Sequence, residues 1–281
     1  MNEKKLPKPH PELFLPPIQP LQTDQPLHWL ILGFKDMAHA PVLSAMHGLI
    51  LAMAGALITW LAHDRFWLLV GSLSGFMVVA PVLATSLYAM SRAIERGEAV
   101  TFSLLLNTWT QWQLRLRHQP DSYWSLIRFG SLLALAATGW VIISSALITL
   151  LAPVAIHTPM DFIRHVVLAK NHALFEIWLG VGGITAAPVF ASSVISMPLL
   201  LDRKVTVLQA VLTSWKAVLT HPVPMGLWAF LIMATTLLGF FTLFLGLILI
   251  VPMLGHGSWH AYRQLLDVSD LEERVTHQKE L

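Results

Sequence analysis

The sequence predicts an all-α membrane protein, a polytopic bundle of transmembrane helices, and three observations lead to that prediction. Apolar residues make up 55% of the chain and charged residues only 12%, whereas about a quarter of the residues in soluble domains are charged. The apolar residues fall in long blocks. Lysine and arginine are concentrated in alternate connections between those blocks. Such a chain is expected to cross a bilayer several times.

Six apolar blocks qualify as membrane spans, since a spanning helix needs about 20 mostly apolar residues. The predicted spans are 41–62, 66–91, 126–151, 173–201, 225–240 and 242–262. The last two form one apolar run, which as a single helix would far exceed a hydrocarbon core of about 30 Å. We therefore expect a tight reversal near 239–242 and six spans in total.

The basic residues predict the orientation. With six spans, three of the 18 lysines and arginines (Arg65, Arg164 and Lys170) lie on one side and all the others on the side of the two termini. Short loops that hold basic residues are normally cytoplasmic. We therefore expect cytoplasmic N- and C-termini, and a net charge of +2 that reflects contact with anionic lipid in the bilayer, not binding to nucleic acid.

Three segments follow from this pattern. Residues 1–26 are rich in proline and are expected to form an extended or disordered cytoplasmic tail, because proline removes helical hydrogen bonds. Residues 27–263 form the six-span membrane domain. Residues 264–281 form a charged cytoplasmic C-terminal tail.

The second, fourth and sixth spans share a spacing that suggests a threefold internal repeat. In each, a glycine precedes a proline by six residues, and the predicted kink or packing positions are Gly75, Pro81, Gly182, Pro188, Gly246 and Pro252. The pattern predicts parallel units at about 27–91, 100–201 and 206–263, each an interfacial helix followed by a hairpin. Chance recurrence is the alternative, because glycine and proline are common in membrane helices.

The prolines are expected to bend their helices and to free the carbonyl four residues earlier, which must then face a neighbouring helix or a hydroxyl. Bends that serve packing are one interpretation, and broken helices along a transport path are the other. Two further segments, 100–116 and 206–219, place apolar and tryptophan residues on one helical face. They are predicted to be amphipathic helices in the headgroup plane.

Candidate chemistry is sparse. His256 and His260 lie four residues apart on one helix face, and with His47 they are candidates for a metal or haem site, because imidazole is a common ligand of copper and haem iron. Interfacial hydrogen bonding is the alternative. The sequence carries no cysteine and no recognisable catalytic motif, so an enzyme is not expected. A polar cluster is predicted at the cytoplasmic ends of the spans, consisting of Asp36, Arg92, Asp202, Arg203 and Arg263.

The phrase Leu-Gly-His-Gly-Ser-Trp-His-Ala-Tyr-Arg at 254–263 resembles the closing phrase of an uncharacterised bacterial integral membrane protein family, domain-of-unknown-function family 2189. Gly-Phe-Lys-Asp at 33–36 is similar to that family's Gly-Trp-x-Asp phrase, with Phe in place of Trp. The phrases at 196–202 and 91–98 also fit. The resemblance implies a bacterial inner-membrane location. Some members are labelled as cytochrome c oxidase components, which implies at most an accessory or assembly role beside a respiratory complex.

Two functions therefore remain open. The first is a non-enzymatic accessory or assembly factor for a respiratory, oxidase-type membrane complex. The second is a channel or carrier for a small solute through the kinked second, fourth and sixth spans. No acidic residue lies near the middle of a predicted span, which argues against an ion-coupled carrier because such carriers use intramembrane carboxylates.

Overall fold

The computed structural model describes residues 14–62, 66, 68–69, 71–73, 82–114, 120–170 and 173–274, without the side chains of 109–127 and 159. Within these residues the chain is helical and contains no strand. The helices are α1 (Gln25–His39), α2 (Pro41–Ala62), α3 (Thr85–Glu95), α4 (Phe102–Leu114), α5 (Pro120–Leu151), α6 (Pro159–Phe162, continued by a π-turn at Ile163–Val167), α7 (Ala173–Ser193), α8 (Ser196–Asp202), α9 (Val207–Thr220), α10 (Pro222–Phe241) and α11 (Leu247–Leu265).

Four helical stretches in the described part of the chain are long and apolar enough to cross a membrane. They are Pro41–Ala62, Arg128–Leu151, Ala173–Asp202 and Pro222–Phe241, and they coincide with the first, third, fourth and fifth predicted spans. The middle of the second predicted span lies outside the described residues. The sixth is helical as α11, but its second half carries polar residues, so it is not one of the four.

Large apolar side chains cover the outside of these helices, as expected where lipid is the solvent. Examples that are half-exposed or more occur on all four stretches: Ile50, Met53, Leu57, Trp60, Leu61, Leu132, Leu135, Ile142, Leu150, Leu179, Ile184, Phe230 and Leu238. The hydrophobic surface that a soluble protein would bury is thus turned outward along the length of the bundle.

The predicted reversal between the last two spans exists, a few residues later than expected. The turn runs from Thr242 to Gly246, and Leu243 and Phe244 have positive φ angles of 54° and 69°. Gly246 therefore lies at the N-cap of α11, not inside a span as the sequence had suggested. Pro252 does lie inside α11, and Pro188 lies inside α7.

The carbonyl that Pro252 frees belongs to Ile248, and it packs against Gly48 of α2. Gly182 faces the ring of Trp140, which would lie 3.0 Å from an added Cβ atom. At these two positions helices approach each other closely, and whether the prolines serve packing or a transport path stays a prediction. Gly75 and Pro81 lie outside the described residues.

Two helix–helix corners have the same backbone geometry, which bears on the proposed repeat. Ala40 between α1 and α2 has φ −130° and ψ 61°, and His221 between α9 and α10 has φ −126° and ψ 62°. In both, a proline begins the following span because its missing N–H is not needed at the first helical position. The third corner, at 115–119, lies outside the described residues, so the repeat stays a prediction.

The core lies at one end of the bundle, around the C-terminal half of α11. Its largest buried side chains include Trp29 of α1, Trp228 of α10, and Trp259 and Tyr262 of α11. The indole rings of Trp29 and Trp228 meet edge to face, with centroids 5.4 Å apart. We call this region, where α1, α2, α3 and α8 pack against α11, the polar end, because it also holds the buried charged residues.

The two terminal segments pack onto the polar end. Residues 14–22 contain no helix, and an isolated bridge joins Ile18 to Leu266. Residues 266–274 form a strap: the N–H of Arg274 donates to the carbonyl of Asp202 at 2.8 Å, and Leu266 and Val268 are buried. Much of the predicted C-terminal tail is therefore part of the folded core.

Candidate functional site

A chain of hydrogen bonds at the polar end links four helices. The ring of His256 on α11 lies between two serine hydroxyls: its Nε2 is 3.0 Å from Ser44 Oγ on α2, and its Nδ1 is 2.7 Å from Ser91 Oγ on α3. Ser91 Oγ donates to Asp36 Oδ2 on α1 at 2.7 Å. The same carboxylate oxygen lies 2.8 Å from His260 Nε2 on α11. We call these five residues the histidine chain.

Donor counting fixes the protons of the histidine chain. A serine hydroxyl has one hydrogen, and Ser91 uses it on Asp36, so Ser91 must accept from His256 Nδ1–H. In the neutral imidazole the other nitrogen is then an acceptor, and Ser44 donates to His256 Nε2. Each hydrogen bond thus has a definite direction that ends on the carboxylate of Asp36.

The environment of Asp36 favours its charged form. Burial by itself raises the pKa of this carboxyl. Hydrogen bonds from His260 and Ser91, together with the nearby imidazoles of His260 and His256, lower the pKa by more than burial raises it, so the pKa of Asp36 lies below its usual value. The carboxylate of Asp36 thus binds Ser91 of α3 and His260 of α11 directly, and Ser44 of α2 joins through His256. The histidine chain therefore clamps four helices together.

The three candidate metal ligands are used in other ways. Both ring nitrogens of His256 and Nε2 of His260 are occupied by hydrogen-bond partners. His47 bonds through Nδ1 to the carbonyl of Leu43 at 2.8 Å. In the part of the chain that the structure describes, no group of three or more histidine and acidic side chains could hold a metal ion. With their ring nitrogens occupied in this way, these residues do not fit a haem or copper site.

A second buried network is centred on Asp202, the last residue of α8. Its Oδ2 lies 3.0 Å from Arg203 Nε and accepts from the Tyr262 hydroxyl at 2.8 Å. Its Oδ1 lies 3.5 Å from Arg96 and 3.7 Å from Arg92. Asp202 is 2% exposed and Arg92 5%, so several arginines offset one carboxylate in a region from which water is largely excluded. The network joins α3, α8 and α11.

A third group connects α3 with α11 nearer the surface. Glu95 accepts from the indole N–H of Trp259 at 2.9 Å and pairs with Arg263 at 2.8 Å. The predicted polar cluster is therefore three separate groups: Asp36 belongs to the histidine chain, Arg92 and Arg203 to the Asp202 network, and Arg263 to Glu95.

The C-terminal strap closes the Asp202 network from outside. Glu273 pairs with Arg96 at 3.1 Å and with Arg203 at 3.4 Å. Glu272 pairs with Lys204. These acidic residues sit in a stretch that reads as an ordinary charged tail, and Ser44 is one of many serines in the chain. Nothing in the sequence distinguishes them, because their partners are brought together only by tertiary packing.

An open groove lies beside the histidine chain. It has a volume of about 470 Å³ and lies between the α1–α2 corner and the connection from α3 to α4. Its lining consists of His39, Ala40, Pro41, Val42, Leu43, Ile94, Gly97, Glu98 and Val100. The groove is shallow and mixed in polarity, and the five residues of the histidine chain do not line it.

Comparison with known families gives a class but no activity. A family model described as "Predicted integral membrane protein (DUF2189)" matches residues 68–202. The match confirms the family resemblance that the sequence indicated. It ends at Asp202, the centre of the second buried network. No curated protein and no solved structure matched the chain.

Proposed function

We propose that this DUF2189 protein is a non-catalytic scaffold of a bacterial inner membrane, an accessory or assembly factor for a respiratory, oxidase-type membrane complex, with both termini in the cytoplasm. The observation that carries the proposal is that the polar groups of the candidate site are satisfied by one another. A catalytic or transport site needs polar groups aimed at a substrate, whereas here they hold helices together.

The closure of the histidine chain supports this function. Ser44 and His256 are each 0% exposed and Ser91 is 1% exposed, so a substrate could not reach them without the bundle opening. Buried, fully paired polar networks specify one arrangement of the elements that carry them. A rigid polar end with a large apolar outer surface suits a protein that binds other membrane proteins.

The spans themselves support a scaffold more than a transporter. The Pro222–Phe241 helix has no ionisable residue, and the Pro41–Ala62 helix has only His47, whose Nδ1 bonds to the backbone. Ion-coupled transport uses charged groups at membrane depth. The oxidase connection rests on the family label alone, so the experiment must be able to reject it separately.

Site-specific photo-crosslinking in native membranes tests the proposal. The two probe positions are Val42, 78% exposed at the start of α2, and Leu150, 79% exposed at the far end of α5; they are matched in exposure and lie at opposite ends of the bundle. We expect a crosslinked membrane partner at one or both positions, and reduced oxidase activity in a deletion strain. Crosslinks to a partner without an oxidase defect would keep the scaffold and reject the oxidase assignment.

Two results would overturn the proposed function. One is the absence of any crosslinked protein at either position under conditions that capture a known membrane complex. The other is solute flux through purified protein in liposomes that is lost when Pro188 or Pro252 is replaced, which would favour the channel or carrier through the kinked helices.

A further inference from the structure

The turn between α10 and α11 has none of the polar character of the connection between α5 and α7, which lies at the end of the bundle away from the polar end. Residues 237–255 contain no charged side chain. The connection between α5 and α7, in contrast, carries His157, Asp161, Arg164, His165 and Lys170. At the turn, Phe241 is 84% exposed, Leu243 81% and Leu245 67%. Proteins in water rarely expose several large apolar side chains next to one another, so water is an unfavourable environment for this turn.

Measured from the polar end, the α10–α11 hairpin is shorter than α2 and ends before the opposite surface of the bundle. The ring of Phe244 packs on Gly55, 2.7 Å from the position of an added Cβ. α2 continues for seven residues beyond Gly55, to Ala62, which adds about 10 Å at about 1.5 Å per residue. The charged residues His63, Asp64 and Arg65 follow only after that.

A second depth measurement starts from the histidine chain. Ser44 and His256 are in contact and so lie at the same level. From Ser44, α2 rises 18 residues to Ala62, about 27 Å. From His256, α11 rises only nine residues to its first residue, Leu247, about 14 Å, or roughly half of a hydrocarbon core of about 30 Å.

The length of α10 does not alter this conclusion, because its first turns belong to the polar end. His221, immediately before α10, bonds through Nε2 to the carbonyl of Gln19, and the N–H of Gln19 donates to the carbonyl of Leu265. Trp228 then lies beside Gly257. The two helices therefore run antiparallel at the same depth, and both end at the turn.

The backbone of the turn is built for an environment without water. Every N–H from 242 to 250 donates to an acceptor within the hairpin. Thr242 contributes most: its hydroxyl donates to the carbonyl of Gly239 at 2.9 Å and accepts from the N–H of Gly246 at 2.8 Å. Inside a bilayer an unpaired N–H costs several kcal/mol, so non-helical backbone requires such internal pairing.

We propose that the α10–α11 hairpin is re-entrant: it enters the bilayer from the polar end, and its tip, residues 239–246, ends among lipid acyl chains without reaching the opposite surface. The tip is thus an interaction surface for the interior of the bilayer. The apolar side chains that project from it meet acyl chains, and the positive-φ turn reverses the chain with its N–H groups satisfied. This inference does not depend on the scaffold function or on which side is cytoplasmic.

Thiol accessibility tests the proposal directly, because the chain has no cysteine. Single cysteines are placed at the tip (Phe241→Cys, with Leu243→Cys as a second variant), in the α5–α7 connection (Ala155→Cys) and in the α3–α4 connection (Ala99→Cys), all exposed positions. A membrane-impermeant maleimide is applied to intact cells and to opened membranes. We expect the two connection variants to be labelled from opposite sides, and the tip variants only after denaturation.

A spin label at the tip then identifies what covers it. Lipid coverage gives strong relaxation by oxygen and weak relaxation by a water-soluble nickel chelate. Labelling of the tip from the side that reaches Ala155→Cys would overturn the proposal, because it would place the turn at the far surface. Protection accompanied by low accessibility to both relaxation agents would also overturn it, since protein would then cover the tip.

Discussion

Replacing Gly33 by alanine tests the closest backbone approach in the polar end. α1 crosses α11 at Gly33, where an added Cβ would lie against the carbonyl of Met253, 2.7 Å from the N of Gly257 and 3.0 Å from its Cα. These neighbours are backbone atoms, which cannot rotate away as a side chain can. The two helices must therefore separate.

The size of the effect follows from these distances. Ordinary contact for a Cβ atom begins at 3.4 Å, and the carbonyl of Met253 is the nearest neighbour of the added atom, so α1 must move by about 1 Å to clear it. Asp36 lies one turn further along α1, and its 2.8 Å contact with His260 would then exceed the usual hydrogen-bond range of about 3.2 Å. Overpacking typically costs about 1–3 kcal/mol, against a helix-propensity gain of up to about 1 kcal/mol for alanine over glycine. We expect a net loss of about 1–2 kcal/mol.

The assay is thermal unfolding of the purified protein in detergent, with Gly226→Ala as the matched control. Gly226 is also a helical glycine, but nothing lies within 4 Å of its added Cβ, so only the propensity gain remains. We expect Gly33→Ala to lower Tm and Gly226→Ala to leave it unchanged or raise it. Equal Tm values for the two variants would refute the close packing of α1 on α11.

Three further substitutions, with Glu272→Gln as a control, test the polar groups and the turn. The pKa of Asp36 is lowered in the folded state, so the charged carboxylate stabilises the fold above the unfolded pKa of about 4. This stabilisation is lost as pH falls through the folded pKa. Asp36→Asn should therefore flatten the decline of Tm below about pH 4. Asp202→Asn removes the buried carboxylate that faces Arg92 and Arg203 and should cost about 3–5 kcal/mol. Glu272→Gln, at an exposed pair, should cost at most about 1 kcal/mol. Thr242→Val removes the hydroxyl that caps the turn and should cost about 1–3 kcal/mol, measured as Tm in lipid nanodiscs.

Each of these has a definite contrary result. A steeper decline of Tm with acid in Asp36→Asn would mean that another group controls the acid limb. Similar Tm values for Asp202→Asn and Glu272→Gln would show that the Asp202 network is solvated. An unchanged Tm for Thr242→Val would mean that the backbone of the turn finds other partners, such as water.

The spans could be predicted from the sequence because they depend on one local quantity. Hydrophobic length alone predicts spans at 41–62 and 126–151, where the structure has apolar helices at Pro41–Ala62 and Arg128–Leu151, since a bilayer requires about 20 apolar residues whatever their neighbours. The reversal before α11 was also predictable, because one helix of that length would not fit the membrane. Its position within a few residues was set instead by the turn at Thr242–Gly246 and its positive-φ residues.

The partners within the polar end could not be predicted, because they join residues far apart in the chain. His256 and His260 were recognisable as one helical face, but Ser44 lies 212 residues and Ser91 165 residues from His256. Two histidines on one helical face are compatible with a metal site and with a hydrogen-bonded clamp. Only the positions of the Ser44 and Ser91 hydroxyls, which occupy both ring nitrogens of His256, favour the clamp. The strap at 266–274 was hidden for the same reason: acidic residues near a terminus normally face solvent, and only the buried arginines opposite them make a different outcome favourable.

Cysteine labelling shows on which side of the membrane the polar end lies. Single cysteines at Ser269, an exposed position in the strap, and at Ala155, in the connection between α5 and α7, are probed with an impermeant maleimide in intact cells. A bundle with its polar end in the cytoplasm predicts that Ala155→Cys reacts at once and Ser269→Cys only after the cells are opened. Reaction of Ser269→Cys in intact cells would place the histidine chain and the strap on the outer face and would contradict the account.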